Sequence, residues 1–457
     1  MLPLGSALPL GSALPANNHK LIMSEHNKPT LLNRANQVLR PKGHVFYGWW
    51  LVLASSGIQL LSGALWMQSY GAYTVLLQRE FGWSKTVISG AFAMTRIESG
   101  ILGPIQGWLT DRFGPRLMLT LGTIGLGLGF MMFSQVNSIL SFYLVFAFMA
   151  VAASFGGFPT LMVAIVNWFD KHRAKAVSFS QIGFSLGGLA VPLVVVSLTL
   201  FGWRVTAFAS GVIILLIGLP LAQMIRHKPA ELGEVPDGVD ASLQPSHNAD
   251  GSPIVAPHNF SGMEALRTPA FWLISFGHAL ALLTVSAMMV HLVPHLTEGM
   301  DYSLAAAGGV VAMLTGMQMI GQLVGGYMGD LLNKRLMCAV CMLMHAAGLF
   351  LLTFATNFAM VFAFAVLHGL AWGTRGPLMV ALRADYFGAA SFGTISGLSA
   401  LIVMFGMSGG PLIAGYLADV TGSYESGFSI LVAGSLIGFV CFLAALPPKA
   451  PQKRPAR

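Results

Sequence analysis

The stretch Gly107-Trp-Leu-Thr-Asp111-Arg112-Phe-Gly114-Pro-Arg116 decides the architecture, because it returns in altered form as Gly326-Tyr-Met-Gly-Asp330-Leu-Leu-Asn-Lys334-Arg335. Gly107, Asp111 and Arg116 map onto Gly326, Asp330 and Arg335 at an offset of 219 residues. Pro159, Asn167 and Phe169 map onto Pro377, Asp385 and Phe387 at an offset of 218. A pattern repeated at a fixed offset marks a duplicated structural unit, here of roughly 200 residues.

The 457 residues are 55% hydrophobic and only 9% charged, against about 25% charged in a soluble domain. Apolar runs of about 20 residues follow one another, each long enough for a ~30 Å hydrocarbon core. Backbone groups in lipid must bond internally, so such runs are helices. The alternating pattern of a membrane barrel is absent. The expected fold is an all-α membrane protein with twelve spanning helices in two six-helix bundles. They are numbered α1–α12 and placed near 47–71, 84–107, 116–135, 139–168, 174–200, 204–226, 268–296, 303–329, 335–355, 358–384, 390–417 and 425–446. Residues 1–45 read as a disordered tail, 46–226 and 267–447 as the two bundles, 227–266 as a polar linker without a core, and 448–457 as a basic tail.

The net charge of +8 follows topology. Of the 25 Lys and Arg, 20 lie in the tails and the even-numbered loops. That bias puts both termini in the cytoplasm and argues against nucleic acid as a partner. Compact loops and three cysteines suit a bacterial inner membrane. Cys338, Cys341 and Cys441 fall in apolar runs. Cys338 and Cys341 form a C-x-x-C, but a redox pair needs an electropositive exposed setting and a zinc site needs a second ligand pair; packing residues are expected, with no metal. No phosphate-binding loop or nucleophile–base pairing appears, so neither an enzyme nor an ATP-driven pump is expected, and no cofactor. The linker is too short and polar for a sensor's output domain.

The 107–116 segment forms a turn in which Asp111 can face a helix N-terminus while Arg112 and Arg116 reach carboxylates or helix C-termini. Together with Gly107, Gly114, Asp330, Arg335, Lys171, Arg173, Arg383 and Asp385 it is expected to form a conformational latch between the halves.

Gly107–Arg116 resembles the loop 2–3 motif of the major facilitator superfamily. The duplicated twelve-helix plan extends that resemblance over nearly the whole chain. It implies two bundles around a central cavity and alternating access. Trp168-Phe169-Asp-Lys171-His-Arg173-Ala-Lys-Ala176, running on to Gly183 and Gly187, is similar to the helix 4–5 motif of the monocarboxylate and oxalate–formate branch, and Glu80-Phe81-Gly82-Trp83-Ser84 resembles the same branch. The branch's basic residues in helices 8 and 11 have no counterpart, since 303–329 and 390–417 contain no lysine or arginine.

Other charges take their place. Ionisable residues at bilayer depth are costly and normally face a cavity or a partner. Arg96 and Glu98 lie in α2 and Arg375 in α10. His368, Trp372 and Arg375 are spaced i, i+4, i+7 and share a helical face suited to an organic anion: the guanidinium neutralises a carboxylate, the indole packs on the carbon part, the imidazole donates. His278 and His291 of α7 and Gln59 of α1 complete the expected binding set, with Glu98 as candidate proton carrier. The expected function is a monomeric secondary transporter of a small, monocarboxylate-like anion, coupled to protons or a counter-anion. The alternative is a carrier of another metabolite or a drug exporter.

Overall fold

The computed structural model describes residues 38–40, 42–83, 85–239 and 258–449. The expectations for most of 1–45, for 240–257 and for 450–457 lie outside these. Residues 1–45 form a unit of their own, in which the described part contains a turn closed by Gly43 N donating to Arg40 O (3.2 Å). Phe46–Arg457 form the second unit, which holds every helix that follows.

The helices are α1 Tyr47–Leu61 with a π-turn Ser62–Met67, α2 Lys85–Phe113, α3 Pro115–Phe133, and α4 as Ile139–Phe155 plus Phe158–Trp168. In the second half come α7 Pro269–Pro294, α8 Leu304–Gly329, α9 Lys334–Thr353, α10 Phe358–Phe387, α11 Phe392–Thr421 and α12 Glu425–Ala444. Between them, α5 starts as Arg173–Leu189 and runs on past Ala190 to Gly202. There φ is 77° and the helix breaks, and α6 continues to Met224. Ser197 and Thr206 hydroxyls meet at 2.9 Å across that break. Nine residues of continuous helix would separate them by about 13.5 Å, so the chain reverses at Gly202.

Ten helical stretches are long and apolar enough to cross a membrane, one of them spanning Arg173–Met224. The twelve-pass reading counts that stretch as two and adds Lys85–Phe113, whose polar side chains keep it out of the ten. Leu193, Phe405 and Leu412 are 73%, 73% and 71% exposed, as lipid-facing side chains must be when the solvent is hydrocarbon.

Three local features differ from the expectation. A helix at Tyr70–Phe81 fills what reads as loop, closed by Gly82 in the left-handed region (φ 66°). It buries Tyr73 and Leu77, one turn apart, and the Tyr73 ring meets Phe133 at 5.6 Å. The second difference is in α4, which is interrupted at Gly156-Gly157, where Pro159 opens a new helix. Proline is pre-set for a first helical turn and lacks the N–H that would extend the previous one. α3 uses the gap: a Cβ on Gly122 would sit 2.1 Å from Gly156 N. Third, the described ends of the linker are ordered, with 3₁₀ turns Pro229–Leu232 and Pro236–Gly238 and a capped helix Gly262–Leu266.

The halves meet along α2 against α11 and α5 against α8. Glycines permit the approach: Cβ atoms on Gly103 and Gly107 would lie 3.2 and 2.0 Å from the carbonyl oxygens of Gly397 and Gly393. On the other side, a Cβ on Gly326 would lie 2.6 Å from Ser178 Cβ. Small residues at four-residue spacing give membrane helices this close packing.

Candidate functional site: a latch and two buried polar clusters

At the end of the molecule that carries the basic loops, each repeat motif places one carboxylate on a helix start of the other half. Asp111 accepts hydrogen bonds from the backbone N–H of Gly393 (2.9 Å) and Thr394 (2.7 Å) and from Thr394 Oγ1 (2.7 Å). Asp330 accepts from Ala174 N (2.9 Å) and Lys175 N (3.3 Å). Unpaired amides and the helix dipole make such starts receptive to a carboxylate. Arg173, buried in the first turn of α5, donates from Nη1 to Asp385 Oδ1 (2.6 Å), and Lys334 Nζ pairs with Asp385 Oδ2 (2.8 Å). Asp385 thereby joins a cation from each half. Burial holds the Asp330 carboxyl up at about 6, against the pull of its two amides and of Lys175 and Lys334. His172, in the same loop as Arg173, is pushed down by burial.

Gly107 packs on Gly393 of the other half, and the remaining expected latch residues stay within their own half. Arg116 donates to Gln223 Oε1 (2.9 and 2.6 Å), Arg112 lies over Trp108 and Phe113, and Arg335 Nη1 donates to Leu443 O (2.8 Å). Gly114, at φ 84°, makes the turn before α3. Lys171 contributes its backbone N–H, which donates to Asp237 Oδ2 at 2.7 Å. Arg383 faces inward: Nη2 lies 2.8 Å from His278 Nδ1 and 2.9 Å from Ser399 Oγ.

A polar cluster ties α2 to the broken α4 in the N-terminal half. Glu98 Oε2 accepts from Ser154 Oγ (3.0 Å) and Ser99 Oγ (3.2 Å), while Oε1 is buried without a partner among the described residues. Gln106 donates to Ser154 O, one of the carbonyls released by the break, and to Thr160 Oγ1 (3.3 Å) on its far side. Gln59 is buried in α1. The Arg96 side chain lies outside the described residues.

A second cluster fills the C-terminal half. Arg375 is 1% exposed, and among the described residues its Nε and Nη1 have no hydrogen-bond partner. Its charge acts on Cys338 and Cys341 of α9 and on His278 of α7, so it lies among groups of its own bundle. His368 Nδ1 lies 3.1 Å from His345 Nδ1 of α9. Ser275 donates to Ser399 (2.9 Å), extending the Arg383–His278 network. Trp372 is partly buried against a separate apolar core. His291 stands apart, its Nε2 2.9 Å from Pro411 O and its Nδ1 3.3 Å from Tyr424 Oη. The structure thus brings Arg375, His368 and His278 into one half's interior, with Arg383 added, and separates Glu98, Gln59 and His291 from them. His345 joins this cluster, and so do the two thiols expected as packing residues. Their signal is spacing: Cys338, Cys341 and His345 stand at i, i+3, i+7, the stripe of α9 that faces α10.

The sequence pattern of the Major Facilitator Superfamily matches residues 55–321 and 274–457. The chain belongs to that superfamily. Like other major facilitators it is a multi-pass membrane transporter and not an enzyme. Among its relatives, the "MFS transporter asaE" of Aspergillus flavus is 26% identical over 407 residues, 86% of this chain and 85% of that one. "Monocarboxylate transporter 13" of Bos taurus is 25% identical over 423 residues, 89% and 93%. The crystal structure of the major facilitator FucP "in the outward conformation" shares the fold, with a TM-score of 0.66, 15% identity, and 86% and 98% of the two chains covered.

Proposed function

We propose that this major facilitator carries a small organic anion of the monocarboxylate kind by alternating access, as a proton-coupled monomer. In this reading the basic loops and both termini face the cytoplasm of a bacterial inner membrane, and 46–226 and 267–447 are the moving bodies.

The observation that carries the reading is a charge imbalance. Arg173, also buried, has Asp385 and Asp170 as ion-pair partners. Arg375 and Arg383 are buried in the C-terminal half, and among the described residues neither forms an ion pair with Asp or Glu. A buried charge without a counter-ion is strongly unfavourable. Two guanidinium groups in one bundle are a standing demand for an anion, and a carboxylate meets the fork geometry of arginine. In the described conformation Arg375 is buried within its own bundle. Substrate binding therefore requires its guanidinium to become accessible from the inter-bundle face of α10. Glu98 suits the proton, because its buried Oε1 has room for one and its hydroxyl partners can either donate or accept.

The test is uptake of labelled carboxylates into proteoliposomes. Wild type should show saturable uptake driven by a pH gradient, and Arg375→Gln should lose it while keeping a wild-type thermal melt. Uptake of organic cations alone, or unchanged anion uptake by Arg375→Gln, would refute the assignment.

A further inference from the structure

Each latch carboxylate needs a receiving helix start that stays in place. The linker supplies that hold in both halves. In the N-terminal half, Trp168 Nε1 donates to Arg226 O (3.0 Å), Tyr47 N donates to Glu234 Oε2 (3.2 Å), and a Cβ on Gly114 would lie 3.1 Å from His227 Nδ1. This strap across α1, α3 and α4 ends at Asp237. The Asp237 carboxylate accepts from the backbone N–H of Asp170 (3.0 Å), Lys171 (2.7 Å) and His172 (3.3 Å). Asp237 is 5% exposed and has φ 57°, a left-handed conformation that a non-glycine residue keeps only when its surroundings impose it. The loop it holds runs directly into Ala174 and Lys175, the amides taken by Asp330.

The other end of the linker repeats the arrangement. Phe260 N donates to Phe387 O (2.9 Å), and the two rings meet edge to face at 5.7 Å. Asn259 Oδ1 accepts from Ala390 N (3.3 Å), and Gly388, at φ 80°, lies so near that a Cβ would be 2.3 Å from Asn259 Oδ1. This loop runs into Gly393 and Thr394, the amides taken by Asp111. His172 and Ala390 are equivalent at the 218-residue offset. One linker therefore grips the same backbone amide of the repeat in both halves, with Asp237 at one end and Asn259 at the other.

We infer that Asp237 and Asn259 are positioning residues of the transport cycle. Each fixes the loop ahead of a receiving helix, and so sets how firmly the carboxylate of the opposite half closes the basic end. The bonds to the latch amides are made by Asp330 and Asp111, and the linker acts through the backbone that presents those amides. The inference stands on the latch geometry and needs no assumption about substrate.

Amide hydrogen exchange on the purified full-length protein tests it. Asp237→Gly removes the carboxylate while suiting the positive φ, and Asp237→Asn keeps an acceptor oxygen. Asp237→Gly should speed exchange at Ala174 and Lys175 about fivefold, the scale of a lost cap, although neither amide loses its own partner. Asp237→Asn should retain most of the protection. Asn259→Ala should speed Gly393 and Thr394 and leave Ala174 and Lys175 unchanged. Faster exchange confined to 170–172, or to 390, would overturn the inference. Should Asp237→Gly fail to fold, Asn259→Ala and Asp237→Asn decide it by the same readout. Substrate is not involved, so failure of the anion assignment leaves this result interpretable.

Discussion

Asp330 should make closure of the basic end depend on pH. Its carboxyl stands at about 6 in the closed contact, against about 3.9 when free in water. A raised acid binds its proton more tightly in the closed form. Protonation therefore favours closure: the contribution is complete below the free value and is lost as pH rises through about 6. Between pH 7 and pH 5 the closed state should gain about 1.4 kcal/mol, roughly tenfold in the closed-to-open ratio, as an upper bound because the carboxyl keeps some solvent contact. The assay is pulsed electron resonance between spin labels at Leu117→Cys and Leu331→Cys, both exposed at the basic end and in opposite halves, in a background free of the three native cysteines. The short-distance population should grow as pH falls from 7 to 5. Asp330→Asn, which mimics the protonated form, should show that population at both pH values. An unchanged pH response in Asp330→Asn would show that another group titrates.

Asp111→Ala removes three acceptor contacts at the start of α11 and should shift the same equilibrium toward the open basic end by about 2 kcal/mol, read with the same label pair. Gly107→Ala forces a Cβ to 2.0 Å from Gly393 O; overpacking of that kind should cost about 1–3 kcal/mol and lower the melting temperature. Gly308→Ala meets nothing within 4 Å and should leave the melt unchanged or slightly raised. Glu98→Gln should abolish uptake driven by a pH gradient while sparing exchange of labelled for unlabelled substrate across the membrane; equal loss of both would remove Glu98 from proton coupling.

The spanning helices and the duplication are legible because apolar length and a repeated ten-residue pattern survive without any contact information. The pattern that singles out Asp111 and Asp330 survives for the same reason. Their partners are not legible, because Gly393, Thr394, Ala174 and Lys175 receive them through backbone amides, which any residue offers. Arg383 shows a different limit. Its place near the end of α10 suggests the latch, but position along a helix does not fix direction around it, and the side chain turns to His278. The break in α4 is announced by Gly156-Gly157-Phe158-Pro159, yet glycine pairs are common in packed membrane helices, and only the proline separates a break from a close approach. The grip of Asp237 hides in a Pro-Asp-Gly turn that reads as ordinary linker.

The most direct test of the central claim, an anion drawn to the buried guanidinium of Arg375, is equilibrium binding measured as a thermal shift. Purified wild type and Arg375→Gln would be melted against graded carboxylates and organic cations. Carboxylates should stabilise the wild type in a saturable manner and leave Arg375→Gln unmoved. Stabilisation by cations alone, or equal stabilisation of both proteins by carboxylates, would contradict it.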